Sequence, residues 1–283
     1  YPGSEIYSIS TVGCNFRCPW CQNWQISQVD PEKYPTYYVS PEELIRRVKR
    51  YGVNSIAFTY NEPSGLWFEY VYDVSKLAHK EGITTVVVTN GYWSPESLKE
   101  LKGLIDAANI DIKGFTEDFY RKYPKASLES VLDCTRTMFK QGVHIELTML
   151  IVPTTGNDNL EVIRRFCRWV VEELSPDVPV HFSRFYPHYK FTHVPPTPVD
   201  LLVKARRVAH EEGLNYVYLG NVPGEFEDTI CPGCGNKVIC RSGYEITCWN
   251  LDSVNKCKKC GYKVAIIGTY KPRSRYLLSL IHI

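Results

Sequence analysis

Three cysteines stand close together in "TVGCNFRCPWCQNW": Cys14, Cys18 and Cys21. Four more form two tight pairs far downstream, Cys231 and Cys234 in "CPGCG" and Cys257 and Cys260 in "CKKCG". Thiolates are soft ligands that suit iron–sulfur clusters and zinc alike. A structural zinc site prefers four protein ligands in paired knuckles, which the first group lacks. Three thiolates spaced three and then two residues apart can hold one 4Fe–4S cluster and leave one iron open to an outside ligand. Three incidental thiols, or a zinc site completed by a distant residue, are the plainer readings.

The second group reads differently. Residues 235–256 separate the two pairs, and each pair is followed by a glycine, Gly235 and Gly261. Such a glycine permits the left-handed turn that aims backbone N–H groups at sulfur. Four thiolates at this spacing predict a closed zinc ribbon. The same ligands could hold a single rubredoxin-like iron. Cys240 and Cys248 lie between the pairs, so an auxiliary iron–sulfur cluster is a third option; otherwise they are small core residues or a labile pair. The module has little apolar content and needs such a staple. Cys134 and Cys167 fall in amphipathic stretches and are expected in the core.

These groups must be positioned by regular elements. Strand candidates are 7–11, 55–60, 84–90, 108–114, 145–152, 180–186 and 215–220, rich in Val, Ile, Thr and Tyr. Several are nearly continuous apolar runs, as in strands buried on both faces. Helices alternate with them. "SPEELIRRVKRYG" has Ser40 as N-cap, Pro41 at the first position and Glu43 at the capping-box position, ahead of the Leu44, Ile45, Val48 and Tyr51 stripe. Ser94 and Thr197 repeat the cap-then-Pro start, and Gly52, Gly82, Gly142 and Gly213 close helices before strands. Strand–helix units of this length give parallel strands with right-handed crossovers. The fold class is α/β: a partial (β/α)6-type barrel, with a doubly wound sheet as the alternative. Either way, chemistry belongs at the C-terminal ends of the strands. After Gly220 the sequence turns cysteine- and turn-rich. We place the barrel at residues 1–225 and the metal-binding module at 226–283.

The chain has 283 residues, 44% hydrophobic and 23% charged, with net charge +2. That balance gives no general reason to expect nucleic acid or an acidic membrane as partner. No run is long and apolar enough for a transmembrane helix, and "YPGSEIYSIS" lacks the marks of a signal peptide. The chain opens on Tyr1 rather than Met, as a trimmed or mature chain would, so upstream sequence is expected. Clustered cysteines point to metal binding in a reducing, cytoplasmic setting rather than to disulfides.

The loop Cys-x-x-x-Cys-x-Trp-Cys resembles the signature of the radical S-adenosylmethionine (SAM) superfamily, with Trp20 at its aromatic position. The resemblance implies a 4Fe–4S cluster on Cys14, Cys18 and Cys21, with SAM chelating the open iron. It also implies reductive cleavage of SAM to a 5′-deoxyadenosyl radical that abstracts hydrogen from a substrate. Trp20 would pack near the adenine. Asn61–Glu62–Pro63 is similar to the Gly-Gly-Glu-Pro stretch that receives the SAM amino group. "TNG" (Thr89, Asn90, Gly91) and "DIK" (Asp111, Ile112, Lys113) resemble segments of the glycyl-radical-enzyme activases, which include pyruvate formate-lyase activating enzyme. There the strand-four Asp and Lys help form the SAM site; a plain Asp111–Lys113 ion pair would serve equally. Val88 stands where the activases carry an Asp of a cation site, which puts such a site in doubt. "LIVPTTGNDN" (150–159) is similar to the stretch near SAM after strand five. "RFYPHYK" (184–190) resembles the segment whose His touches SAM, making His188 the candidate, with His181 and His193 weaker.

Three longer stretches, "VGCNFRCPWCQNWQIS", "FSRFYPHYKFTHVPPTP" and "YVYLGNVPGEFEDTICPGCG", make the chain similar to the AmmeMemoRadiSam-system radical SAM proteins over nearly its full length. Members of that family often carry a further N-terminal cysteine-containing segment. The expected protein is a radical SAM enzyme with a structural zinc and an external electron donor such as ferredoxin or flavodoxin. Its substrate, whether protein, peptide or small molecule, is not implied. The rival is an iron–sulfur and zinc protein that transfers electrons or acts as a scaffold without SAM chemistry.

Overall fold

Where the sequence alternates β-rich runs with capped helices, the chain builds seven parallel strands joined by helical crossovers. The computed structural model describes residues 1–222, 224 and 226–270. In order the first elements are β1 (Tyr7–Ile9), α1 (Trp24–Ser27), α2 (Pro41–Arg50), β2 (Ser55–Phe58), α3 (Phe68–Lys80), β3 (Thr84–Thr89), α4 (Pro95–Glu100) and β4 (Ala107–Asp111). They continue with α5 (Glu117–Lys122), α6 (Leu128–Lys140), β5 (His144–Ile151), α7 (Leu160–Glu173), β6 (Val180–Arg184), α8 (Val199–Glu211) and β7 (Val217–Gly220). The sheet order is β1-β2-β3-β4-β5-β6-β7, every neighbour parallel. A doubly wound sheet reverses its strand order at a switch point. This sheet never does, so the open (β/α) barrel is the fold: six strand–helix units followed by a seventh strand.

The local signals mostly act as read. Ser40 Oγ accepts the N–H of Glu43, and Ser94 Oγ that of Ser97. Thr197 differs. Pro198 takes the N-cap position of α8, while Thr197 is fully buried, donates to the Ile151 carbonyl at 2.6 Å and accepts from Phe185 N–H at 2.9 Å. A hydroxyl enclosed between two strand ends finds those partners first, so it clamps β5 to β6 instead of capping a helix. The strands also differ from the reading of burial on both faces. Only β2 is buried throughout, while β3 and β5 alternate between buried and half-exposed residues. Their outer faces pack under the helices, where Leu147, Met149, Ile151 and Phe166 are sealed. Their inner faces line an open lumen.

A second sheet follows, antiparallel in the order β10-β9-β8, formed by β8 (Thr229–Ile230), β9 (Lys237–Ser242) and β10 (Glu245–Trp249). It packs on β7: Tyr216 Oη accepts Ala265 N–H at 3.1 Å, and Tyr218 Oη lies 2.9 Å from Thr229 Oγ1. Cys240 and Cys248, opposite one another in the β9–β10 pair, form a disulfide. This corrects the auxiliary-cluster option and the small-core option for these two. Cys134 and Cys167 are buried core residues, as expected. The last part of the 226–283 module, residues 271–283, lies outside the described residues.

Candidate metal centre and cofactor site

The loop with Cys14, Cys18 and Cys21 follows β1, at the C-terminal ends of the strands. All three thiols are free. Other strand-end loops hold it in place. Asn90, just past β3, donates to Asn15 Oδ1 at 2.7 Å, and its Nδ2 lies 3.9 Å from Cys14 Sγ. Arg17 N–H donates to the Pro124 carbonyl, and Lys190 N–H to the Pro19 carbonyl. His188 Nε2 donates to the Gln22 carbonyl at 3.1 Å. The segment after β6 therefore clasps the cysteine loop, and His188 braces its backbone one residue beyond Cys21.

Asp111 and Lys113 form an ion pair of 2.7 Å at the end of β4. Burial disfavours the Lys113 ammonium, but Asp111 outweighs burial and holds its pKa above the ordinary lysine value. The Lys113 charge acts on both Cys14 and Cys18. Burial pushes these thiols up to about 11 and about 12, so the bare protein keeps them protonated. A metal centre there must displace protons to bind. Asn157, which the sequence reading passed over, ties this corner together. It accepts Val152 N–H and donates to the carbonyls of Lys113 and Leu150. Its signal was its place in the 150–159 stretch, where no single residue stood out.

Glu62 is not a solvated loop acid. It is buried at 3% exposure; Oε1 accepts from Thr89 Oγ1 at 2.6 Å and Ser64 N–H at 3.0 Å, and Oε2 from Asn90 N–H at 2.6 Å. Burial nevertheless raises its pKa. It braces the β2 loop against the β3 loop, and through Asn90 supports Cys14. Thr89 also accepts from Trp93 Nε1. Asn61 accepts from Ser10 Oγ, while its buried Nδ2 has no partner among the described residues. Trp20 does not present an open ring face: it is packed among Phe119, Tyr123 and Phe191, with centroids 5.4–5.8 Å away.

Strain collects at this end. Tyr60, Thr154, Tyr189 and Asn221, in the loops after β2, β5, β6 and β7, all have positive φ. Non-glycine residues rarely adopt that conformation, and it concentrates at functional loops. Val88 is half-buried on β3. His193 packs on the Phe191 ring. His181 lies toward the N-terminal half of the barrel, 2.8 Å from Glu146 and stacked on Tyr218. That end opens into a cavity of about 740 Å3 shared with the antiparallel sheet.

The second cysteine group converges. The four sulfurs of Cys231, Cys234, Cys257 and Cys260 lie within 4.8 Å of one another, with Cys231–Cys260 at 3.6 Å and Cys234–Cys257 at 3.8 Å. Metal–sulfur bonds of about 2.3 Å in a tetrahedron require sulfur separations of about 3.8 Å, so the set fits one ion. Gly235 (φ +69°) and Gly261 (φ +76°) make the left-handed turns, donating to the Cys231 and Cys257 carbonyls. Burial works against Cys257 ionising, yet the N–H groups of Cys260 and Lys259 outweigh it and hold the thiol down to about 7.

A family model described as the Radical SAM superfamily matches residues 8–167. An uncharacterized protein of Methanocaldococcus jannaschii is 46% identical over 269 residues, covering 94% of this chain and 79% of its own. A putative glycyl-radical enzyme activating enzyme of the same organism is 25% identical over 230 residues, 77% of this chain and 80% of its own. The structure of Streptococcus suis SuiB bound to S-adenosylmethionine aligns with a TM-score of 0.59 at 11% identity, over 79% of this chain and 51% of that one. At that identity it bears on the fold alone.

Proposed function

The chain belongs to the radical SAM superfamily, and from that premise we propose that Cys14, Cys18 and Cys21 hold a 4Fe–4S cluster whose open iron receives SAM. The observation that carries this reading is three free thiols on one loop, fixed at the strand ends by Asn90 and beside the Lys113 charge. When bound and reduced, the cluster supplies the electron that breaks the sulfonium C–S bond, giving methionine and a 5′-deoxyadenosyl radical for hydrogen abstraction. Lys113 offsets the negative charge that three thiolates bring into a buried corner, and Asp111 holds it there. The unpartnered Nδ2 of Asn61 offers a donor to a carboxylate-bearing cofactor. Thr89, Asn90 and Glu62 keep the loops in register, and His188 with Trp20 fixes the cysteine loop from the other side.

We further propose that residues 226–283 are a module stapled by one zinc on Cys231, Cys234, Cys257 and Cys260. About four irons and about one zinc per chain are expected after anaerobic purification. As a radical SAM enzyme the protein acts on a substrate and needs a reductant, for which ferredoxin or flavodoxin is the natural class. Nine free cysteines against one bridge fit a reducing cytoplasm, and among the described residues no helix is long and apolar enough to cross a membrane. The test is anaerobic reconstitution with dithionite and SAM: 5′-deoxyadenosine and methionine should form together. An intact cluster that binds SAM and never cleaves it sinks the catalytic reading. Activation of a glycyl radical enzyme would leave a glycyl signal in the partner's electron paramagnetic resonance spectrum.

A further inference from the structure

We propose that the cavity between the N-terminal mouth of the barrel and the antiparallel sheet is a binding site for a small alkylammonium compound. It lies at the end of the strands away from the cysteine loop, and the proposal does not rest on the cluster reading. The cavity measures about 740 Å3, in the usual size range of small-molecule sites. Ser55, Thr84, Ala107 and His144, the first residues of β2 to β5, line it together with Ile239, Arg241 and Ile246 of the antiparallel sheet.

The charge of this lining is one-sided. Asp106, Glu146 and Glu227 belong to it, against Arg241 as the single Lys or Arg side chain among the described residues. That guanidinium is occupied: Nη1 donates to the Glu227 carbonyl and to Thr229 Oγ1, and the group lies 5.7 Å from the Tyr218 ring centre. The Tyr1 amino group is likewise taken by the Ile267 carbonyl. Glu146 is the centre of the site. His181 Nε2 lies 2.8 Å from Oε2, and His144 Nε2 3.7 Å from Oε1. Burial opposes the charge on Glu146, but the two histidines outweigh burial and keep it ionised. A carboxylate has about four accepting positions, and this side chain keeps 38% of its surface exposed in the cavity. Asp106 repeats the pattern. Its Oδ2 takes His79 Nε2 and the Thr85 N–H, while Oδ1 has no hydrogen-bond partner among the described residues.

Ionised carboxylates that are enclosed and retain acceptor capacity call for a cationic donor, whose desolvation is offset by charge-assisted hydrogen bonds. An anion would meet three carboxylates. A metal ion fits less well, because the metal-ligating set that converges among the described residues is the four ribbon cysteines. Much of the remaining lining is apolar, with Leu219, Ile246, Ile266 and Ile267, and apolar surface of that kind favours a hydrocarbon chain. The ligand class that satisfies both walls is an ammonium group on a short carbon chain.

The test titrates the holoprotein anaerobically by calorimetry with pentylamine, pentan-1-ol and pentanoate, three probes of one chain length. Pentylamine should bind at one site per chain, and the alcohol and the acid at least about 10-fold more weakly. Glu146→Gln should weaken pentylamine about 10-fold or more and narrow its margin over the alcohol, and Asp106→Asn should do so less. Ile246→Lys, which brings an ammonium in from the ribbon wall, should abolish pentylamine binding. Circular dichroism melting shows whether each variant is folded, and the wild-type ligand series decides by itself where one is not. Pentan-1-ol binding as tightly as pentylamine overturns the proposal, as does the absence of saturable pentylamine binding up to about 10 mM. Pentylamine binding that Glu146→Gln and Ile246→Lys both leave unchanged overturns it too, because the amine then sits elsewhere.

Discussion

One chain carries a convergent set of four thiols and a looser set of three, and their surroundings differ as much as their counts. In the ribbon, the sulfurs sit at the spacing of a tetrahedron; backbone N–H groups favour ionisation of Cys257, while Cys231 and Cys260 are pushed up. The site is shaped for one ion, beside a small core of Val238, Ile239, Leu251 and Val264 and the Cys240–Cys248 disulfide. In the barrel loop, Phe16 N–H reaches Cys14 Sγ at 3.4 Å, but burial outweighs it and keeps Cys14 and Cys18 protonated. Their order comes from neighbouring strand ends, through Asn90, Pro124, Pro19 and His188. Cys18 belongs to the barrel core, with Cys14 and Cys21 packed against it, but most of that core comes from the strands and helices. The comparison sets four thiols converged by their own backbone turns against three thiols held in place by other strand-end loops.

The sharpest way to break this contrast is to remove ligands from each site in turn. Cys257→Ser should lose zinc and unfold the ribbon, since structural zinc contributes about 10–16 kcal/mol in small modules; circular dichroism melting and zinc analysis check it. Replacing Cys14, Cys18 and Cys21 by Ala should remove iron and SAM cleavage while leaving the melting transition nearly in place. If that triple variant unfolds, the contrast is wrong. Lys113→Met leaves Asp111 without its partner in a half-buried corner and should cost about 3 kcal/mol of stability. Cleavage should fall at least about 10-fold, with partial recovery in Lys113→Arg, because about 1.4 kcal/mol is a factor of ten in rate.

Smaller effects refine the comparison. Cys240→Ser opens the disulfide that closes an eight-residue separation. It should lower ribbon stability by about 2–3 kcal/mol while zinc content holds. Glu62→Gln replaces one accepting oxygen by an NH2 group that cannot take the Asn90 N–H or the Thr89 hydroxyl. A loss of about 1–3 kcal/mol is expected in denaturant unfolding, together with slower cluster loading. The least effect concerns pH. Burial alone would raise the Glu146 carboxyl, but hydrogen bonds from His144 and His181 hold it well below the ordinary range. Its folded pKa lies below its unfolded one, so its contribution is present above the ordinary Glu pKa and lost as the pH falls. His181→Phe should flatten the urea midpoint between about pH 6 and about pH 3.

Much of the molecule was legible in one dimension. All seven barrel strands lie within or overlap the runs read from β-rich composition, because each alternates with a helix whose start and stop are marked locally. Ser40 and Ser94 cap as read, since their partners lie three residues away in the chain. Thr197 did not, because its partners are 46 and 12 residues distant and no local pattern encodes them. Glu62 and Asn90 were picked out by motif, yet their bond to each other spans 28 residues. Asn157 and Asn15 were missed for the same reason: an amide in a loop gains meaning only from the carbonyls and side chains that folding brings to it.

By itself, the sequence determined which residues could bind metal, because ligand identity and close spacing are local properties of the chain. It also determined the alternation of strand and helix, which follows from periodicity and caps. Only the tertiary structure decided that the strands run in unbroken order around an open barrel, and that Cys240 and Cys248 pair with each other. It alone also placed Lys113 beside the cysteine loop. These are facts about separations in space between residues far apart in sequence, and the chain fixes them only through the packing of the whole fold.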